Sequence, residues 1–171
     1  MSQPRFLFQQ SVLFIDDQPQ FENLIRKGLL NFPAEYEFCP SRLSTALERL
    51  QGETPDLIVS SLDFKEGSVL ELIRKTGGFL EKVPSLYLSE PHLADIEAEM
   101  AMMGRFQILD RKAGPLELIR KMAQVIAENI DREKPARFRP GQKPSAIEPE
   151  GISVHSSLDS PWADAILKKI K

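Results

Sequence analysis

The chain has 171 residues, 42% hydrophobic and 27% charged, enough for one sizeable core plus an appendage. Its net charge of -3 and pI near 5.5 give no general basic field to draw in nucleic acid or an anionic membrane. Cys39 is the single cysteine, so no intramolecular disulfide can form. His92 and His155 stand far apart without spaced companions, which excludes a structural zinc site.

Met1 to Gln10 carries one cation and no signal-peptide apolar core, and no apolar run approaches the ~18 residues needed to span a bilayer. A soluble protein of a reducing compartment, the cytoplasm, is expected.

Ser11 to Ile15 (SVLFI) is a short apolar run ending at Asp16 and Asp17: a buried strand that delivers two carboxylates to its carboxyl end. Phe21, Leu24, Ile25, Leu29 and Phe32 then recur at helical spacing, closed by Asn31 and Pro33. A weaker strand at Tyr36 to Cys39, stopped by Pro40, is placed at the sheet edge. Leu43, Ala46, Leu47 and Leu50 mark a second helix, stopped by Gly52.

Pro55 to Phe64 (PDLIVSSLDF) reads as the central strand, apolar on both faces between a Pro-Asp turn and a polar exit at Ser60, Ser61 and Asp63. Ser68 and Glu71 have capping-box spacing before a third helix carrying Leu70, Ile73 and Phe79 inward, its end loosened by Gly77 and Gly78. Pro84 to Ser89 is a fourth strand. A fourth helix from Pro91 to Met103 turns Leu93, Ile96, Met100 and Met103 to one side, with Gly104 as its stop. Phe106 to Leu109 is a fifth strand, and Pro115 opens a last helix striped by Leu118, Ile119, Met122, Val125, Ile126 and Ile130.

Five strands alternating with five helices specify a doubly wound α/β domain over residues 1–132, its sheet parallel. Residues 133–159 are rich in Pro, with Gly, Ser and Lys, and read as a mostly irregular linker or tail rather than a second core. Residues 160–171 differ again: Ser160-Pro161 opens a short amphipathic helix with Trp162, Ile166 and Ile170 on one face. A helix of about ten residues is marginal alone, so it is expected to dock in cis or in trans.

The ordered set FIDD, PDLIVSSLDF with its following helix, PSLYLS and GRFQILDRKAGPLEL resembles the receiver domain of two-component response regulators, over roughly Ser11 to Arg132. The resemblance implies a flavodoxin-like fold of order 2-1-3-4-5. It also implies that an acidic pair and an Asp ending strand three bind Mg²⁺, with that Asp phosphorylated and a backbone carbonyl just beyond it as a further ligand. A Ser or Thr after strand four and a Lys after strand five then contact the phosphoryl group.

Carried over by position, Asp16 and Asp17 match the acidic pair, a residual and weak Mg²⁺ site. Ser89 matches the strand-four hydroxyl, and Arg111 takes the Lys position with Lys112 beside it. Ile108 stands where the family often has an aromatic. Ser61 takes the acceptor position.

A carboxylate is an anionic nucleophile and a hard ligand, whereas a serine hydroxyl is neutral and needs a general base. No catalytic residue is therefore assigned, and no cofactor beyond weakly held Mg²⁺ is expected. The expectation is a pseudo-receiver: a non-enzymatic, phosphorylation-independent scaffold that binds proteins in bacterial-type signalling. Its partners, or a second copy in a homodimer, would meet the helix four, strand five, helix five face or the Trp162 segment, with no nucleic acid or membrane involved. The alternative is an unconventional receiver phosphorylated on Asp63 with Mg²⁺ on Asp16 and Asp17. Arg111 or Lys112, paired with Asp16, Asp17 or Asp63, would fill the role of phosphate charge permanently.

Overall fold

A computed structural model describes residues 10–28, 34–103, 106–129 and 131–141. The parallel strands are β1 (Gln10–Ile15), β2 (Ala34–Cys39), β3 (Leu57–Ser61), β6 (Ser85–Ser89) and β7 (Gln107–Asp110), side by side in the order β2-β1-β3-β6-β7. Counting parallel strands alone, that is 2-1-3-4-5, the flavodoxin-like order expected. A two-residue hairpin, β4 (Asp63–Phe64) against β5 (Gly67–Ser68), stands apart from the sheet. The helices are α1 (Pro19–Gly28), α2 (Leu43–Leu50), α3 (Val69–Thr76), α4 (Phe79–Lys82), α5 (Ala94–Met103) and α6 (Pro115–Asn129).

Strand alternation divides the core in two. Val12, Phe14, Leu57, Val59, Leu86 and Leu88 face Ile25 of α1 and Leu118, Met122 and Val125 of α6. Leu13, Ile15, Ile58 and Tyr87 face the helices α2 to α5. All five residues of β3 are buried, as a central strand covered on both faces requires.

Several local expectations are corrected. The stretch from Pro55 to Phe64 is not one strand: β3 ends at Ser61, and Asp63–Phe64 turns into the hairpin. Ser68 begins α3 but its side chain makes no cap, because the residue is committed to the hairpin ladder opposite Asp63. Phe79 is buried, but on the separate turn α4: Gly77 and Gly78, at φ 55° and 86°, adopt the left-handed conformation and end α3 first. Leu24 is 47% exposed, so the inward side of α1 centres on Ile25. Pro91–Leu93 is a turn of 3₁₀ helix before α5. Leu29, Phe32 and Ile130 lie outside the described residues.

From Asp131 to Gly141 the chain forms no helix or strand, yet it packs on the domain. Lys134 Nζ lies 2.9 Å from Asp56 Oδ1 and donates to the Thr54 carbonyl at 3.3 Å, while the Thr54 hydroxyl donates to the Pro135 carbonyl at 3.3 Å. Asp56 in turn accepts from the Ser11 amide at 2.7 Å, so the strap ties the entries of β1 and β3. Phe138 then packs on the α2–α5 side, its ring 5.7 Å from that of Phe79. Residues 142–171, with Trp162, Ile166 and Ile170, lie outside the described residues.

Two outcomes follow from this packing. Phe138→Ala is expected to cost about 1–2 kcal/mol, below the ~3–5 kcal/mol of a fully buried Phe because this ring is only partly covered; urea unfolding measures it. Burial, reinforced by the nearby Glu37 and Asp17 and opposed by Arg49, raises the Cys39 thiol from 9.0 to about 11. The unfolded thiol therefore loses its proton first, and this contribution to stability is intact below pH 9 and lost as pH rises toward 11. Cys39→Ala is expected to flatten that alkaline loss, read by denaturant unfolding across the interval.

Candidate functional site

In a doubly wound sheet the strand ends diverge into a crevice at the carboxyl edge, and side chains from different strands meet there. β1 delivers Asp16 and Asp17, β3 delivers Ser61, β6 delivers Ser89, and Arg111 follows β7 on a short 3₁₀ turn (Arg111–Ala113). Asp16, Ser61 and Ser89 are buried, at 7%, 6% and 7% exposure, while Asp63 is exposed.

The acidic pair does not converge. Asp16 Oδ1 accepts from the Gln18 amide at 2.8 Å, and Oδ2 accepts from Arg111 Nη2 at 2.5 Å. Asp17 Oδ1 accepts from the Ser41 amide at 3.0 Å, and its Oδ2 lies 3.7 Å from Lys65 Nζ. Each carboxylate oxygen already faces a cation or an N–H donor.

Ser61 is engaged in the same way. Its hydroxyl donates at 3.0 Å to the carbonyl of Asp63, the backbone oxygen that the resemblance makes a metal ligand. The Asp63 side chain does not join the acidic pair, since the hairpin carries it outward.

Arg111 is the residue that closes the crevice. Its side chain is 10% exposed and that of Asp16 2%. The guanidinium carbon sits 4.6 Å from the centre of the Phe21 ring, and Nε lies 3.8 Å from Glu90 Oε2, an ion-pair distance too long for a hydrogen bond. Lys112, the other cation at this turn, is exposed, and its backbone amide donates to Asp110 at 2.8 Å. Ser89 lines a separate recess of about 250 Å³ with Glu90, Glu97, Ile108 and Asp110.

The hairpin completes the enclosure from the opposite side. The Lys65 amide donates to the Ser41 carbonyl at 3.0 Å, and Glu66 meets the Ser44 hydroxyl at 3.2 Å and Arg42 at 3.8 Å. The loop after β3 is thus pinned to the loop after β2. Nothing in the sequence signals this latch except Lys65 and Glu66 themselves, two charged residues in an exposed turn.

A Mg²⁺ ion demands near-octahedral oxygen ligands at ~2.1 Å, usually one or two carboxylates with waters or phosphate. The residues as arranged do not fit one. The carboxylates face different partners, the side chain that ends β3 at Ser61 is an alcohol, and a guanidinium stands on Asp16. Among the described residues, no group of three or more His, Cys, Asp and Glu side chains is gathered as a metal ion would need.

With this geometry established, the class of fold follows: a flavodoxin-like α/β domain with a five-stranded parallel sheet. No protein-family model and no curated protein matches the chain. Solved structures do match its fold. The chemotaxis response regulator CheY4 of Vibrio cholerae is 21% identical, covering 68% of this chain and 98% of its own, with a TM-score of 0.57. The receiver domain of the stress response regulator RcsB from Escherichia coli is 16% identical, covering 68% and 92%, with a TM-score of 0.58. A chain named as an adenylate cyclase from Rhodopirellula baltica is similar too, at 17% identity, 70% and 88% coverage and a TM-score of 0.59. Among the described residues no helix is long and apolar enough to cross a membrane.

Removing one member of a buried ion pair strands the other in low dielectric, at a cost of about 3 kcal/mol or more. Asp16→Asn is therefore expected to destabilise the domain by about that amount, and adding Arg111→Met to recover much of the loss. A double-mutant cycle in urea measures the coupling.

Proposed function

We infer that this chain is a phosphorylation-independent, non-enzymatic module on the receiver fold, working in bacterial-type two-component signalling by binding other proteins. One observation carries the reading: the groups a metal-assisted phosphoryl transfer would draw on are already engaged by other groups of the chain. Asp16 holds Arg111, Asp17 holds Ser41 and Lys65, and Ser61 holds the Asp63 carbonyl. Ser61 also lacks an activating base, since its hydroxyl points its proton at a carbonyl and not at a side chain able to take it.

The partner surface in this reading is the α5–β7–α6 face, offered to another protein or to a second copy. Met102 of α5 and Leu116 of α6 are large apolar side chains, 87% and 52% exposed, which supports an interface there. The segment with Trp162, Ile166 and Ile170 is a second contact in the same reading. A buried free thiol at Cys39 suits the reducing cytoplasm.

Incubation of the full chain with acetyl phosphate and Mg²⁺ tests the chemistry by intact mass. No change is expected. A hydroxylamine-labile gain of one phosphoryl group, lost in Asp63→Asn, would establish the rival in which Asp63 accepts the group with Mg²⁺ on Asp16 and Asp17.

A further inference from the structure

Resting on the reading of this chain as an interaction module, we propose that the outer face of α5 and the acidic recess beside it seat the chain's own C-terminal segment, residues 160–171. A partner of the α5–β7–α6 face must then displace that segment.

The face is read from α5 itself. Ile96, Met100 and Met103 turn toward the core, yet Ala94, Ala98, Ala101 and Met102 form a second apolar stripe on the opposite side, within about 100° of one another around the helix. All four are exposed, Met102 at 87%. A surface helix ordinarily turns polar residues outward, and one that is apolar on both sides has a second surface to cover. Three of the four are alanines, which let another helix approach closely.

The flanks of the stripe set the charge of that surface. On one flank Glu99 is spent on Arg74 of α3, at 2.9 Å. On the other, Glu97 meets no cation among the described residues and lines the recess of about 250 Å³ together with Asp110 and with Glu90, which also approaches Arg111. Ser89 lines the same recess at 7% exposure, and its hydroxyl has no hydrogen-bond partner among the described residues. The space is smaller than the ~300–1,000 Å³ of a small-molecule pocket, and its carboxylates are not gathered for a metal ion. Acceptors around a space of that size suit an ammonium, which brings three donors on a long stem.

The occupant is argued from the sequence and from the reach of the chain. Residues 160–171 carry Trp162, Ile166 and Ile170 four apart, the spacing of one helical face, with Lys168, Lys169 and Lys171 against a single acid, Asp164. Bulky apolar groups are thereby matched to a stripe of alanines, and ammonium groups to carboxylates. Phe138 brings the chain to the α2–α5 side of the sheet, the side on which α5 lies. From Gly141 to Ser160 the backbone reaches up to about 60 Å, more than the roughly 35 Å width of a domain of this size. Tethering favours this segment over a second copy, because a contact with a Kd on the order of 1 mM is about half occupied within one chain and nearly empty between chains at micromolar concentration. The apparent affinity of a partner for this face falls by the fraction of chains in which it is covered.

Trp162 is the only tryptophan, so its fluorescence in the full-length chain reports the segment directly. Native Trp162 is expected to emit to the blue of the urea-unfolded chain and to be protected from acrylamide, both unchanged on dilution. Lys168→Glu with Lys169→Glu, and separately Ala98→Arg on the exposed stripe, are expected to shift the emission to the red and remove most of the protection, with circular dichroism checking the fold. Glu97→Lys added to the double lysine variant is expected to return part of it. The proposal is overturned if native Trp162 is as accessible as in the unfolded chain, if either set of variants leaves a protected Trp162 unmoved, or if the protection is lost on dilution, which would make the occupant a second copy. None of these results bears on the mass test above, whereas a phosphoryl adduct on the native chain removes the non-phosphorylated reading wherever Trp162 lies.

Discussion

The ion pair between Arg111 and Asp16 is the constraint on which the carboxyl edge of the sheet depends. Burying two charges is costly, and their attraction offsets the desolvation only where geometry is good and other bonds satisfy what remains. Asp16 meets that condition, with a backbone amide on its other oxygen. Arg111 meets it in part, through an aromatic face and a distant carboxylate. Such a pair stabilises little relative to an apolar replacement of the same volume, but it tolerates only one arrangement of the chains that carry it. The surface pairs Arg26 with Glu22 and Arg120 with Glu117 are different: both partners are over a third exposed, and solvent screening leaves them little influence.

The hairpin after β3 holds the other wall of the crevice. Loops at the carboxyl edge are ordinarily the least stable part of such a sheet and the part that moves. Here the loop has its own two-stranded ladder, a backbone bond from Lys65 to Ser41, and a hydroxyl anchor from Ser61 to Asp63. Ser61 is thus a structural residue. Its hydroxyl spans two residues of its own chain and fixes the first turn of the loop, a task a serine performs through a local side-chain to backbone bond.

The sheet was legible because parallel strands buried on both faces are short apolar runs, and SVLFI, LIVSS and SLYLS carry that signature without ambiguity. What escaped was structure without periodicity. A two-residue strand has no alternation to read, so the hairpin was absorbed into β3. Leu24 fits the helical spacing as well as Ile25 does, and only the position of α6 against α1 decides which is covered. The strap escaped because its composition is that of a linker, while its attachment depends on two side chains, Lys134 and Phe138. At the site, position along the family pattern found Asp16, Asp17, Ser61 and Arg111. It left open which of Arg111 and Lys112 pairs with the acidic residues, because neighbours on a 3₁₀ turn point about 120° apart and the sequence does not say which direction is inward. The partner of Asp17, a backbone amide at Ser41, carries no residue-type signal at all.

These attachments bear on whether the domain can act as a switch. A switch needs two arrangements of comparable free energy and an input that prefers one of them. At the carboxyl edge, Arg111 and the hairpin latch draw the strand exits into one arrangement using groups of the chain itself. At the amino edge, Lys134 and Asp56 join the strap to the entries of β1 and β3, and Phe138 carries it to the side of α2 to α5. An input acting on the crevice would have to break the buried pair before biasing anything beyond it, and a ligand shifts an equilibrium only by its difference in affinity between the two states. Binding energy of that size is more readily supplied by a protein surface than by a single small anion, and the proposed interaction module rests on that difference.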